Sequence, residues 1–243
     1  MLAGALGLSA QTKIIAHRGF WDTSGSAQNG IMALLKADSI GAYGSEFDVW
    51  LTKDGRLVLN HDNRIDGRSV EDYTLAELKQ RRLENGEPMP TLEEFLTVAK
   101  AKTTLMLVLE LKPHATPLRE DRAVKDIVDM VRRMGLESRV SYISFSLNAV
   151  RQFIRLAPQG TPVFYLNGEL SPEELKELGC AGPDYHMDVF RRNPEWIDRC
   201  HELGMKVNVW TVNRAEDRAR FMGVADYLTT DRPVEALEEA SAR

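Results

Sequence analysis

The chain has 243 residues, of which 43% are hydrophobic and 28% charged, and its formal net charge is −5 at pH 7. This composition is typical of a folded globular protein and excludes an intrinsically disordered chain. The lysines and arginines are scattered, which argues against a nucleic-acid-binding protein. The two cysteines, Cys180 and Cys200, lack CxxC spacing, so we expect free thiols.

The first residues, MLAGALGLSAQ, are small and apolar, but the run is too short to cross a bilayer. Leu8-Ser9-Ala10 is similar to the cleavage site at the end of a signal peptide. We therefore expect residues 1–12 to be a disordered terminus or a signal-peptide remnant, and residues 13–243 to form one domain. A remnant would place the protein outside the cytoplasm, in the periplasm or secreted; a frayed terminus would be compatible with a cytoplasmic protein.

Strand-length apolar runs alternate along the chain with segments of helical periodicity. The runs predict strands at 13–17, 45–51, 57–60, 105–111, 140–145, 162–166, 184–188, 206–212 and 226–229. The periodic segments predict helices at 29–40, 92–100, 119–134, 147–156, 172–178, 194–203 and 215–222. Thr91 with Glu94, and Ser171 with Pro172, have the spacing of helix N-termini.

Unbroken alternation of strands and helices indicates a parallel sheet covered by helices. An open doubly wound sheet and a closed eight-stranded barrel both satisfy this pattern. Nine predicted strands for eight positions favour an α/β fold of the TIM-type (β/α)8 class, with one additional or spurious run. Lys53-Asp54-Gly55 indicates a tight hairpin. We expect this hairpin to replace one βα unit, which makes the barrel irregular, and the short segment 63–90 leaves no room for a large insertion domain.

Ionisable side chains mark four of the predicted strands: His17 and Arg18, Glu46 and Asp48, His61, and Glu110 and Lys112. Each motif alone is typical of an ordinary surface or core group. Barrel strands, however, are buried on both faces, and reactive groups in barrels lie at the carboxyl ends of the strands. Burying three acids unpaired would cost on the order of several kcal/mol each, so we expect a cation among them. A site made of carboxylate oxygens suits Mg²⁺ or Ca²⁺ better than zinc.

The motifs AHRG, EFD, NHD and ELK, in this order, resemble those of the glycerophosphodiester phosphodiesterase family. The resemblance continues in VNVWTVN and DYLTTDRP, so it spans nearly the whole chain. It implies that one divalent cation, Mg²⁺ or Ca²⁺, is held by three acids, that two histidines act as general acid and base, and that two basic side chains bind the phosphate. The residues concerned are Glu46, Asp48 and Glu110 for the cation, His17 and His61 for proton transfer, and Arg18 and Lys112 for the phosphate.

The residue chemistry alone supports the same roles. A phosphodiester transition state spreads negative charge over its oxygens, which a cation, an arginine and a lysine stabilise. Proton transfer near neutral pH suits histidine. Phe145 ends one predicted strand and Trp210 lies in another, and both are expected to line the substrate pocket.

One position departs from the family pattern. Relatives usually carry Pro-Glu-Asn-Thr shortly after HRG, whereas this chain has Ala27-Gln28-Asn29-Gly30. Asn29 matches, but Gln28 replaces an acid. If that acid supports the metal or a histidine, this site has one negative charge fewer.

The leading hypothesis is divalent-metal-dependent hydrolysis of glycerophosphodiesters to glycerol 3-phosphate and an alcohol. The expected partner is a small-molecule substrate, with no nucleic acid and no stable membrane insertion. The sequence does not indicate whether the protein is a monomer or an oligomer. An alternative is a phospholipase or lyase that acts on membrane phospholipids through a cyclic phosphate, which would require an apolar or basic rim. A glycoside hydrolase would need neither a metal nor the Arg18 and Lys112 pair. A catalytically inactive binding module would not need both histidines.

Overall fold

The strands of the computed structural model, which describes residues 11–242, form a closed ring around which the helices pack. In chain order the elements are β1 (Lys13–Ala16), α1 (Ile31–Ser39), β2 (Gly44–Leu51), β3 (Leu57–Leu59), β4 (Arg64–Ile65), β5 (Arg68–Ser69), α2 (Leu75–Leu78), α3 (Leu92–Lys102), β6 (Met106–Leu111), α4 (Pro117–Met134), β7 (Val140–Ser144), α5 (Leu147–Leu156), β8 (Val163–Tyr165), α6 (Pro172–Leu178), β9 (Gly182–His186), α7 (Met187–Arg192), α8 (Trp196–Glu202), β10 (Asn208–Trp210), α9 (Ala215–Phe221), β11 (Tyr227–Thr230) and α10 (Pro233–Ser241).

The strands pair in parallel in the order β1-β2-β6-β7-β8-β9-β10-β11, and β11 pairs with β1 to close the ring. The predicted (β/α)8 barrel is therefore confirmed. The surplus strand among the nine predicted is the one at 57–60. It forms β3, which pairs antiparallel with the end of β2, with Val49 opposite Leu59.

The predicted hairpin forms, but the prediction that it replaces a βα unit is wrong. Helix α3 follows the hairpin and returns the chain to β6, so the second βα unit keeps its helix. Between the hairpin and α3 lie the two-stranded ribbon β4–β5 and the short helix α2. The hairpin is thus an addition at the carboxyl end of β2, beside the mouth of the barrel.

The strand predicted at 184–188 is displaced by two residues in the structure. It begins earlier, at Gly182, and ends at His186. Helix α7 begins at Met187, and the His186 side chain accepts a hydrogen bond from the backbone N–H of Asp188 at 3.3 Å, as an N-cap residue does. The alternating polar and apolar residues of DYHMD are compatible with both conformations, so periodicity alone did not find the boundary.

Two apolar layers hold the barrel together. Alternate residues of each strand point outwards to the helices, as Phe47 does toward Phe95 of α3 at 4.4 Å between ring centroids. The opposite residues point inwards, where Ile15, Val108 and Ile143 belong to a separate buried cluster. All eight residues of β2 are buried, so its inward-facing acids Glu46 and Asp48 lie inside the barrel rather than at a solvated edge.

The first ten residues lie outside the described part of the chain, so the expected leader or disordered terminus falls mostly there. Gln11 and Thr12 are described, and both bind the barrel: Gln11 Nε2 donates to Ala240 O at 2.8 Å and Thr12 Oγ1 to Ala225 O at 2.7 Å. Among the described residues no helix is long and apolar enough to span a membrane. Cys180 and Cys200 are free and buried, as expected.

Candidate active site

A cavity of about 110 Å³ lies where the barrel strands end at their carboxyl termini. Eight of the nine predicted site residues line it: His17, Arg18, Glu46, His61, Glu110, Lys112, Phe145 and Trp210. The ninth, Asp48, is buried against them and contacts the Lys112 ammonium at 2.7 Å. The structure therefore brings the whole predicted set together.

The three predicted acids form one cluster. Glu46 and Asp48 share the inward face of β2, and Glu110 of β6 pairs in register with Asp48. Each offers an oxygen within 4.8 Å of those of the other two. Burial raises the pKa of Glu46 well above its usual range, and the neighbouring charges of Asp48 and Glu110 raise it further. Burial likewise raises the pKa of Glu110 to about 8.

The cluster fits a divalent cation. Glu46 Oε1 is buried and has no hydrogen-bond donor among the described residues, so this oxygen is available as a ligand. The donor set consists of carboxylate oxygens, which are the ligands of Mg²⁺ and Ca²⁺. A bound cation would also offset the repulsion between carboxylates that adds to the raised pKa values of Glu46 and Glu110.

Lys112 lies between two of the acids. Its Nζ is 2.7 Å from Asp48 Oδ1 and 2.8 Å from Glu110 Oε1. Burial opposes the lysine's charge, but these two carboxylates outweigh burial and raise the pKa of Lys112. For Asp48, too, burial is outweighed, in this case mainly by the positive charge of Lys112, and the pKa falls. At neutral pH Lys112 is thus a fixed positive charge on the cavity wall.

Asn29 holds Asp48 in place from the loop after β1. Asn29 Nδ2 donates to Asp48 Oδ2 at 2.8 Å, and Asn29 Oδ1 accepts from the Asp48 backbone N–H at 3.0 Å. Asn29 has a φ of +59°, a left-handed conformation that asparagine tolerates better than most residues. Only an amide side chain of this length both donates and accepts here, which explains the residue type.

Arg18 connects the first motif to the acids. Its backbone N–H donates to Glu46 Oε2 at 2.8 Å, and its Nη1 donates to Gln28 Oε1 at 2.6 Å. Gln28, the departure from the family pattern, therefore binds the arginine. As a neutral partner it orients the guanidinium without neutralising it.

Gly19 is required by packing. Its φ is +76°, and a Cβ atom there would lie 2.7 Å from the backbone carbonyl carbon of Ala33 in α1. The glycine therefore lets the loop that carries Arg18 lie directly on helix α1.

His17 is held by a carboxylate that sequence reasoning did not single out. Its Nδ1 lies 2.8 Å from Asp231 Oδ1, which follows β11. Asp231 also accepts from Trp21 Nε1 at 2.9 Å and from Asn213 Nδ2 at 2.7 Å. Burial opposes ionisation of Asp231, but these donors outweigh burial and lower its pKa. Because an ionised carboxylate only accepts, His17 carries its proton on Nδ1 and keeps Nε2, 3.9 Å from Glu46 Oε2, for chemistry.

His61 lies at the more open side of the cavity, just after the additional strand β3. Its side chain is 39% exposed, and its Nδ1 lies 2.8 Å from Asp62 Oδ1. Burial lowers the pKa of His61, with Lys112 and Arg18 adding to the effect and Asp48 opposing it.

Aromatic side chains form another part of the cavity wall. Phe145 and Trp210 meet edge to face with ring centroids 5.6 Å apart. Trp210 Nε1 donates to the backbone carbonyl of Asp184 at 2.8 Å, which fixes the indole. The wall continues inwards with Ile143 and Leu166.

Three residues of the site were missed as functional candidates: Asn29, Asp184 and Asp231. Each had a signal in the sequence. Asn29 follows the HRG motif closely, Asp231 follows the last strand directly, and Asp184 lies two residues before His186 on a strand face that points into the barrel.

A parallel barrel whose mouth holds an acidic cluster, two basic side chains and two imidazoles belongs to the class of enzymes that cleave phosphate esters. Residues 17–235 match the family model of the glycerophosphoryl diester phosphodiesterase family. The chain belongs to this family and is a glycerophosphodiester phosphodiesterase.

Individual relatives agree with this assignment. A glycerophosphodiester phosphodiesterase of Caldanaerobacter subterraneus is 32% identical, over 92% of this chain and 95% of the relative. The crystal structure of a glycerophosphodiester phosphodiesterase from Parabacteroides distasonis is 50% identical, with a TM-score of 0.93 over 96% of this chain and 98% of the other. An Oleispira antarctica phosphodiesterase, solved in complex with its product sn-glycerol-3-phosphate, is 26% identical, with a TM-score of 0.80 over 96% and 98% of the two chains.

Proposed function

We propose that the protein hydrolyses glycerophosphodiesters to glycerol 3-phosphate and an alcohol, with one divalent cation, Mg²⁺ or Ca²⁺, and two-histidine acid and base catalysis. One observation carries the proposal: carboxylate oxygens of Glu46, Asp48 and Glu110 lie within 4.8 Å of one another, at a cavity that His17 and His61 line. The product found in the Oleispira antarctica relative supports the choice of substrate.

The chain's own residues bind and orient the phosphate. The Arg18 guanidinium, held by Gln28, and the Lys112 ammonium present two positive charges to the phosphate oxygens. Both charges are fixed before substrate binds, so little reorganisation is needed as negative charge develops. Glu46, Asp48 and Glu110 would hold the cation, which when bound stabilises negative charge on the phosphate and lowers the pKa of a bound hydroxyl.

The two imidazoles share the proton transfers. One histidine takes the proton of the attacking hydroxyl as its oxygen bonds to phosphorus, and the other gives a proton to the alcohol oxygen as the bond from phosphorus to that oxygen breaks. His17 uses Nε2, because Asp231 occupies Nδ1. His61 lies nearer to solvent, where protons exchange with water.

The test is hydrolysis of glycerophosphocholine by the purified protein, before and after treatment with a chelator, and then with Mg²⁺ or Ca²⁺ restored. We expect the chelator to abolish turnover and one of the two ions to restore it. Activity that a chelator does not reduce would exclude the cation from the proposal. Release of glycerol with phosphocholine, instead of glycerol 3-phosphate with choline, would exclude the proposed bond cleavage.

A further inference from the structure

Asp184 is a buried acid outside the acidic cluster just described. It lies on β9, two residues before His186 and on the same inward face, and is only 1% exposed. Its neighbours across the sheet are Asn208, which pairs with it in register, and then Thr229, whose Oγ1 accepts from Asn208 Nδ2 at 2.9 Å. These three residues form a polar row next to the apolar inward-facing cluster that contains Ile15, Val108 and Ile143.

The carboxyl of Asp184 is not fully hydrogen-bonded. One oxygen interacts with Asn208, which lowers the pKa, but burial dominates and raises it to about 7. The other, Oδ1, is buried and has no hydrogen-bond partner among the described residues. Trp210 is held through the backbone carbonyl of Asp184, so fixing the indole does not require the carboxyl group. A leucine would fill the same space without the cost of burying a polar atom, which on the order of magnitude is a few kcal/mol.

Asp184 lies at the closed end of the active-site cavity. The cavity's lining includes Asp184, Thr229 and Ile143, all buried, whereas His61, Phe145 and Trp210 at the other end are partly exposed. Beneath Asp184 a second cavity of about 50 Å³ continues toward the amino ends of the strands. The unpartnered oxygen thus belongs to a residue that forms the inner limit of the substrate space.

We propose that Asp184 binds the terminal hydroxyl of the substrate's glycerol group and so selects glycerol esters among phosphodiesters. The inference rests on the proposed function. With the phosphate at Arg18 and Lys112, one ester substituent extends inwards and the other extends to the mouth. A cavity of about 110 Å³ is small, so the three-carbon glycerol lies inside and the variable head group outside.

The lining supports this orientation. The carbon chain of glycerol would pass Ile143 and Leu166, which are apolar, and its terminal hydroxyl would then meet the carboxyl of Asp184 at the closed end. A buried polar group that a substrate hydroxyl satisfies discriminates strongly against a substrate without that hydroxyl.

The experiment compares glycerophosphocholine with its analogue that lacks only the terminal hydroxyl, the phosphocholine ester of propane-1,2-diol. Bis(p-nitrophenyl) phosphate serves as a phosphodiester without glycerol. The variants are Asp184→Leu, which removes the polar group, and Asp184→Asn, which keeps a donor and an acceptor. Ser141→Ala is the matched control, because Ser141 points into the barrel but lines the lower cavity.

We expect the wild type and Ser141→Ala to prefer glycerophosphocholine to the analogue by about tenfold or more in kcat/KM. Asp184→Leu should reduce this preference to about threefold or less while changing kcat/KM for bis(p-nitrophenyl) phosphate by no more than about threefold, and Asp184→Asn should keep most of the preference.

Equal loss on all three substrates in Asp184→Leu would overturn the inference, because it would indicate a structural role. If Asp184→Leu does not fold, a wild type that cleaves glycerophosphocholine and its analogue at the same rate would overturn it as well. A wild type that does not cleave glycerophosphocholine with any divalent cation would instead overturn the proposed function.

Discussion

His17 Nε2 lies 3.9 Å from Glu46 Oε2, so His17 can exchange a proton with a substrate group beside the cation that Glu46 is proposed to hold. Replacing either by alanine should abolish turnover, with a loss of about a thousandfold or more because each supplies a separate part of the reaction. The two variants should differ in cation binding, measured by calorimetry: Glu46→Ala loses it, whereas His17→Ala retains all three acids and keeps it.

A matched control for the histidine is His201→Ala. His201 lies on α8 and contacts Asp226 at 2.8 Å, away from the cavity, so this variant should turn over like the wild type. Turnover near the wild-type rate in either His17→Ala or Glu46→Ala would contradict the assignment of these residues to the site.

Asp231 acts on the reaction through His17. Asp231→Asn should lower kcat by roughly a hundredfold or more, because an amide stabilises neither the Nδ1–H tautomer nor the protonated imidazole. Cation affinity should not change, since Asp231 is not among the three clustered acids. Steady-state kinetics together with calorimetry test this. A parallel loss of cation binding would show that the variant disturbs the whole site and not the histidine alone.

Gln28 keeps the guanidinium of Arg18 available for phosphate. Gln28→Glu would place a negative charge where an amide oxygen now lies 2.6 Å from Arg18 Nη1. This carboxylate would compete with the substrate, so KM should rise by about three- to tenfold with a smaller change in kcat. Gln28→Met removes the hydrogen bond without adding charge and is the control. Tighter cation binding at an unchanged KM would contradict the contact that the structure places here.

Site residues could be predicted from the sequence when their neighbours in the site are also close to them in the chain. Glu46 and Asp48, or Glu110 and Lys112, are two residues apart on one strand, so alternation predicts that they share a face. Asp231 meets His17 across 214 residues, and only closure of the ring between β1 and β11 brings them together. Asn29 appeared as a motif residue without a role, because its function depends on a left-handed backbone conformation that the pattern does not reveal.

The bounds of helices and strands were predicted accurately where local sequence signals mark their ends. Helices α5 (Leu147–Leu156) and α6 (Pro172–Leu178) have the predicted bounds, since serine caps start both and a left-handed glycine ends α6. Six of the nine predicted strands are shorter in the structure: β10 (Asn208–Trp210), for example, is only part of the apolar run 206–212. Apolar residues before and after a strand are buried as well as those within it. Hydrophobicity therefore predicts which residues are buried, whereas the ends of a strand depend on hydrogen bonding to its neighbours.

The capping box of α3 gives a prediction for a single element. Thr91 Oγ1 accepts from the Glu94 backbone N–H at 3.1 Å, and Glu94 Oε2 accepts from the Thr91 backbone N–H at 2.8 Å. Thr91→Ala should lower the free energy of unfolding by about 1 kcal/mol, with kcat unchanged because Thr91 is not among the residues that line the active-site cavity. Thr97→Ala, an exposed position within the same helix, should change stability by no more than about 0.5 kcal/mol in urea titrations. Equal losses in both variants would indicate that the cap contributes nothing specific.

For the whole molecule, the choice between an open sheet and a barrel depended on one pairing. Alternation of strands and helices fits both architectures, and the count of nine predicted strands did not identify the surplus strand. Closure requires β1 to pair on both edges, with β2 and with β11. That arrangement depends on strand tilt and register, which the order of apolar runs does not contain.

The barrel's stability should fall with pH as Asp184 ionises. Burial raises the pKa of Asp184 from its ordinary value of 3.8 to about 7, so between these values the folded protein keeps a proton that the unfolded chain releases. Unfolding therefore releases a proton, and the contribution of Asp184 to the free energy of unfolding, complete below pH 3.8, is lost as pH rises to about 7.

Asp184→Asn has no proton to lose at this position. In urea titrations at several pH values from 5 to 7.5, its free energy of unfolding relative to the wild type should increase with pH, by an amount on the order of 2 kcal/mol. The clustered acids titrate in both proteins, so their contribution cancels in this difference. Ser141→Ala should run parallel to the wild type. An Asp184→Asn curve that is also parallel would mean that Asp184 is already ionised in the folded barrel, and the carboxylate would then need a bound cation or water that compensates for its burial.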